Sequence, residues 1–202
     1  MRRHQSGFTL IEIAIVLVII GLLLGGILKG QELITQGRIR NVANDFQAMT
    51  AGINLYQDRY RSLPGDDAGA NARWNTTTSG NGDGQIAGAY NTTTSTDESR
   101  LFWQHLRLAG LVGGATTDVT QPANSASGIT GVQNGGMGLS SVVVCSNNLP
   151  AKIAQAIDSQ FDDGNAMTGS VRGQTGTIVS TTAPTVNYVD NGANFYVVCK
   201  VP

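Results

Sequence analysis

Charge is scarce in this 202-residue chain. Thirteen Lys and Arg stand against fourteen Asp and Glu, a net charge of −1, and charged residues are 13% of the whole. The basic excess with which a nucleic-acid binder holds phosphate is therefore missing, and no nucleic-acid partner is indicated. Cysteine and histidine are sparse too, two of each, which leaves little for a metal centre built on soft ligands. No G-x-x-x-x-G-K-[ST] stands among the glycine-rich stretches, so nucleotide binding has no support. Glycine itself is plentiful, 26 of 202 residues, nearly double the roughly 7% of average proteins. The apolar residues are gathered at one end. Residues 8–28 hold one charge, Glu12, and after Gly30 the sequence turns polar and rich in Gly, Ser, Thr and Asn.

Twenty-one helical residues rise about 31 Å, the thickness of a bilayer core. A secretory signal would end in a small-residue A-x-A site, and Leu22-Leu23-Leu24-Gly25-Gly26-Ile27-Leu28-Lys29 contains none. A plain anchor helix is the competing reading. Arg2, Arg3 and His4 precede the apolar run, so the amino terminus is expected in the cytoplasm and the remainder outside. Glu12 is the anomaly, because a carboxylate in hydrocarbon costs about 2.5–3.5 kcal/mol even on lenient scales. The next cation downstream within the segment is Lys29, about 25 Å along a helix. An α-amino group created at Phe8, on the same chain or a neighbouring copy, is a nearer partner.

Gly7-Phe8-Thr9-Leu10-Ile11-Glu12, followed by Ile13-Ala14-Ile15-Val16-Leu17-Val18-Ile19-Ile20-Gly21, closely resembles the processing signal of type IV pilins and type II secretion pseudopilins. The resemblance implies cleavage by a prepilin peptidase after Gly7, methylation of the new amino-terminal Phe8, and pairing of Glu12 with the amine of an adjacent subunit. It also implies a single-pass precursor in the bacterial inner membrane, an assembly platform and ATPase that extract it, and a final filament of identical copies. Lys29 is a departure, since pilins and major pseudopilins commonly carry proline there. Gly21, Gly25, Gly26 and Gly30 offer local flexibility instead.

Beyond Gly30, Ile39, Val42, Phe46, Met49, Ile53, Tyr56 and Tyr60 recur at alternating spacings of three and four, the stripe of an amphipathic helix. Ser62-Leu63-Pro64-Gly65 ends it. One helix is predicted over residues 8–61, about 80 Å long. A coiled-coil seam is the alternative, but three heptads are few and a head must be covered. Residues 65–98 read as loop, residues 99–110 as an amphipathic helix closed by Gly110, and residues 113–138 as another long polar loop. A strand is expected at 141–145, a helix at 150–161 opened by Pro150, and strands at 170–179, 185–189 and 194–201. The fold class is therefore α+β: a long amino-terminal helix packed on a globular head with a carboxy-terminal antiparallel sheet. The segments are a leader (1–7), a membrane and filament-core helix (8–30), its amphipathic continuation (31–62), a loop-rich head region (63–140) and the sheet region (141–202).

Cys145 and Cys199 both end Val-Val runs, and in an exported head an even pair reads as a disulfide. Ser79, Asn81 and Asp83 stand at alternate positions before Gly84, resembling the middle of a calcium loop. Tyr90 occupies the place of the closing Glu, so Asp66, Asp67, Asp97 or Glu98 would have to fold back. A plain Asn/Asp/Gly turn explains the same letters. No nucleophile–base signature accompanies the head's single histidine, so a membrane-anchored enzyme has no residues to name. A non-enzymatic filament subunit is the leading expectation. A type II secretion pseudopilin and a tip pilin with an adhesive or DNA-uptake role are the alternatives.

Overall fold

The computed structural model describes residues 9–202. Eight elements follow in order: α1 (Leu10–Tyr60), α2 (Ala70–Arg73), α3 (Glu98–Leu108), β1 (Thr130–Gly136), β2 (Leu139–Pro150), α4 (Ala151–Phe161), β3 (Val171–Thr175) and β4 (Phe195–Lys200). The chain divides into two compact units, with the boundary inside α1 between Gly37 and Arg38.

In the unit Arg38–Pro202, α1 buries the stripe that its spacing predicts. Val42, Phe46, Met49, Ile53 and Tyr56 are buried, and Ile39 and Tyr60 pack at the margin. This part of α1 is thus a core helix of the head and not a coiled-coil strand. Arg61 and Ser62 leave the helix, and Gly65 turns the chain at φ 89°. A Cβ there would strike the Glu98 carbonyl, so glycine is required at this turn.

The sheet has the order β1-β2-β4-β3, with every neighbouring pair antiparallel. Both faces are covered. Val132, Val144, Leu149, Val171, Tyr196 and Val198 face α1, α3 and α4, while Val143, Cys145, Val197 and Cys199 join Tyr90 and Met137 on the other side. Burial on two faces explains why Val142-Val143-Val144-Cys145 and Tyr196-Val197-Val198-Cys199 read as unbroken apolar runs, without period-2 alternation. Cys145 and Cys199 are register partners across β2 and β4 and form a disulfide.

Three expectations need correction. Residues 113–138 are not all loop, because β1 lies within them. Its Thr-Gly-Val-Gln-Asn-Gly-Gly sequence hides a strand that has glycine where a neighbour comes close, since a Cβ on Gly131 would meet the Tyr90 carbonyl. Residues 185–189 are not a strand. Tyr188 instead lays its ring against Gly173 and Tyr196 and donates its hydroxyl to Asp158 at 2.7 Å. The loop at 65–98 contains the single turn α2.

The loop-rich part of the head hangs from α3. Glu98 accepts the backbone N–H groups of Asn81 and Ala87 at 2.9 and 2.8 Å. Gln104 donates to the carbonyls of Thr76 and Thr116 and accepts from the Thr77 hydroxyl. Arg107 donates to the carbonyls of Asp118 and Thr120 at 2.6 and 2.8 Å. Long loops need partners for their buried backbone groups, and charged or amide side chains tolerate burial when they supply those partners. Phe102, Trp103 and Leu106 fill the core from the same helix, while Leu108 is half-buried.

Candidate processing and assembly segment

The amino-terminal part of α1 forms the other unit. Its apolar side chains are exposed throughout, from Ile20 at 46% to Leu10 at 89%. Among the described residues, α1 is the one helix long and apolar enough to cross a membrane, with a mean hydropathy of 2.9 over its most apolar window. A Cβ added at Gly21, Gly25, Gly26 or Gly30 would point into open space, and the helix runs through them without interruption. Lys29, at the end of the apolar run, pairs with Glu32 at 2.7 Å on the exposed surface.

Glu12 and Thr9 close the helix start reciprocally. Thr9 donates its backbone N–H and its hydroxyl to Glu12 Oε2 at 2.8 and 2.7 Å, and the Glu12 N–H reaches the Thr9 hydroxyl at 3.3 Å. This is a capping box, in which N-cap and N3 side chains satisfy one another's orphaned backbone donors. The T-x-x-E spacing of Thr9-Leu10-Ile11-Glu12 carries the signal in the sequence, where charge alone drew attention to Glu12. Among the described residues, the bonds to the carboxylate fall on Oε2. Gly7 and Phe8, the expected cleavage and methylation residues, lie outside the described residues.

The oxygens expected to hold calcium are engaged in hydrogen bonds within and beside the turn. The Ser79 hydroxyl accepts the Asn71 N–H, Asn81 Oδ1 accepts the Asp83 N–H, and Asp83 Oδ1 accepts the Gln85 N–H. Asn81 Nδ2 donates to Asp83 Oδ2 at 3.0 Å. The possible closing carboxylates are engaged as well. Asp66 takes the N–H groups of Gly82, Asp83 and Gly84. Glu98 takes two more, Asp97 accepts the Thr92 hydroxyl, and Asp67 holds Tyr56, Gly69 and Arg73. Calcium needs six to eight oxygens around one centre. Among the described residues, no three His, Cys, Asp or Glu side chains gather in that way. These residues fit an Asx-type turn clamped by two buried carboxylates, Asp66 and Glu98.

No curated protein matches the chain. At the amino terminus the match is to a family, over the segment that carries the cap, the lone carboxylate and the exposed apolar helix. Residues 2–28 match the prokaryotic N-terminal methylation motif, the signal that type IV pilins and pseudopilins share.

Proposed function

We propose that this protein is the structural subunit of a type IV pilus filament. A prepilin peptidase cuts it between Gly7 and Phe8 and methylates Phe8, and residues 8–28 then leave the inner membrane to pack against the same residues of other copies. The motif and the apolar helix fit a membrane-anchored precursor. The head, on the far side of the membrane from Arg2 and Arg3, is carried out on the stem. The segments proposed are leader 1–7, core helix 8–30, amphipathic stem 31–62, loop-rich head 63–140 and sheet region 141–202. No residue of the chain is assigned a catalytic role.

The observation that carries this reading is an exposed apolar helix with one carboxylate near its start. Water does not tolerate such a surface, and patches well above a few hundred Å² mark membrane or protein contacts. In the monomer, Thr9 supplies Glu12 with hydrogen bonds but no countercharge. In a filament, the Phe8 amine of a neighbouring copy supplies the charge, through a bond stronger than a neutral one. Lys29 in place of proline is the feature that favours the second reading, a pseudopilin or a minor tip subunit. Electron microscopy of native cells with antibody to residues 38–202 separates the two. Label spaced along surface filaments is expected, whereas label at tips alone, or none outside the cell, would assign the chain to the second reading.

A further inference from the structure

His105 is the only histidine beyond His4 and is fully buried on α3. Its Nδ1 accepts the Gly65 N–H at 2.9 Å, and its Nε2 lies 3.0 Å from the Thr78 carbonyl oxygen. Only the neutral ring with its proton on Nε2 satisfies both contacts. An imidazolium bears N–H on both nitrogens, and the second would point at the Gly65 N–H. The two partners belong to different stretches of chain. Gly65 closes the turn that ends α1, and Thr78 leads into the stretch that Asp66 and Glu98 hold by backbone N–H groups. One ring thus joins the end of the stem and the 76–78 stretch to α3.

The charged and titratable groups around the ring give a proton no welcome. From α1, Tyr56 stacks on the imidazole at 6.3 Å and donates its hydroxyl to Asp67. From the segment after α1 come Asp67 and Arg73, which pair with each other, while Asp66 is turned toward the Gly82–Gly84 amides. On α3 itself, the Glu98 carboxylate is spent on Asn81 and Ala87, and Arg107 points to carbonyls at 118 and 120. Burial chiefly holds His105 below the ordinary histidine value. The Thr78 carbonyl opposes that shift and the Arg73 charge adds to it.

We propose that His105 is an acid-sensitive latch, which as a neutral ring fastens residues 62–87 to α3 and on protonation releases them while the sheet stays folded. The released segment takes up the proton near the usual histidine value of about 6.5, and the closed one only at lower pH. Above about pH 7 neither form binds it, so opening does not depend on pH through this residue. Below about 6.5 the opening equilibrium grows by up to about tenfold per pH unit. Asp158 acts with the opposite sign. Burial foremost raises it, and Asp162 and Asp163 add to that, while Tyr188 and the Gly164 N–H pull the other way. It lies outside residues 62–87.

Hydrogen exchange by mass spectrometry on the full protein in detergent tests the latch between pH 5.5 and 7.5, with rates corrected for intrinsic exchange. Protection of residues 62–87 is expected to fall at least about fivefold across this range while β2 and β4 hold theirs. His105→Gln keeps an amide donor toward Thr78 and removes the titration, so its segment should show no such dependence. Equal pH dependence in both proteins, or none in the wild type, overturns the proposal. If His105→Gln does not fold, NMR titration of the wild-type His105 ring decides. A ring that titrates at the ordinary value while residues 62–87 stay protected contradicts the latch, and a ring protonating only as those amides open supports it.

Discussion

Glu12→Val is expected to abolish polymer while leaving precursor levels and membrane insertion unchanged. Val costs insertion nothing, since it removes the one charge in an apolar run. It deletes two contributions at once, the Thr9 cap and the charge offered to a neighbour. Glu12→Gln separates them. The amide oxygen still accepts from the Thr9 N–H and hydroxyl, which lie 2.8 and 2.7 Å from Oε2, but it offers no charge to an amine. A hydrogen bond to a charged group contributes about 1.5–3 kcal/mol, so each subunit contact should weaken by roughly tenfold or more. Losses recur at every subunit added, and Glu12→Gln should therefore approach Glu12→Val in polymer yield. Mixed expression of Glu12→Val with wild type should shorten filaments, because each pairing needs both partners. Sheared-filament yield by immunoblot measures this. Wild-type yield from Glu12→Val alone rejects the intersubunit role, and wild-type yield from Glu12→Gln with loss in Glu12→Val assigns the residue to capping.

Removal of the disulfide is expected to cost the head about 4 kcal/mol, from the loop-closure entropy of a cross-link 54 residues apart. Against a typical total of about 5–15 kcal/mol this is a large fraction. The bridge joins β2 and β4, the two central strands of the sheet, and each cysteine is fully buried. The double variant Cys145→Ser/Cys199→Ser avoids a lone reactive thiol, though it leaves two small polar groups in an apolar cluster. Thermal unfolding should move down by roughly 8–16 °C for a unit of this size. A shift under about 2 °C would mean that β2–β4 pairing and two-sided burial hold the sheet without the bridge.

Much of the architecture was legible because one period carries it. The stem stripe from Ile39 to Tyr60 has a single covered face, and every member packs on the head. The apolar runs ending in Cys145 and Cys199 were legible for the opposite reason, as both strands are covered on both faces. β1 was not legible, because its glycines answer to the Tyr90 carbonyl and not to strand propensity. The stretch 185–189 looked like a strand from Thr, Val and Tyr, yet its one inward side chain serves Asp158. α3 read as amphipathic, but its polar residues are buried by loops that exist only in three dimensions. Distance in sequence also hides what shapes the turn at Ser79, Asn81 and Asp83. The residues that shape that turn, Asp66 and Glu98, stand 11 to 18 positions from the N–H groups they bind. Glu12 was legible as an anomaly, whereas its bond to Thr9 followed from a local spacing that charge had overshadowed.

The most direct measurement is the amino-terminal mass of the protein purified from its native host. A mature chain that begins at Phe8 and carries one methyl group there is expected, with a Gly7→Ala variant retaining residues 1–7 and remaining in the membrane. Intact residues 1–7 in assembled material, or a mature terminus at another position, would contradict it.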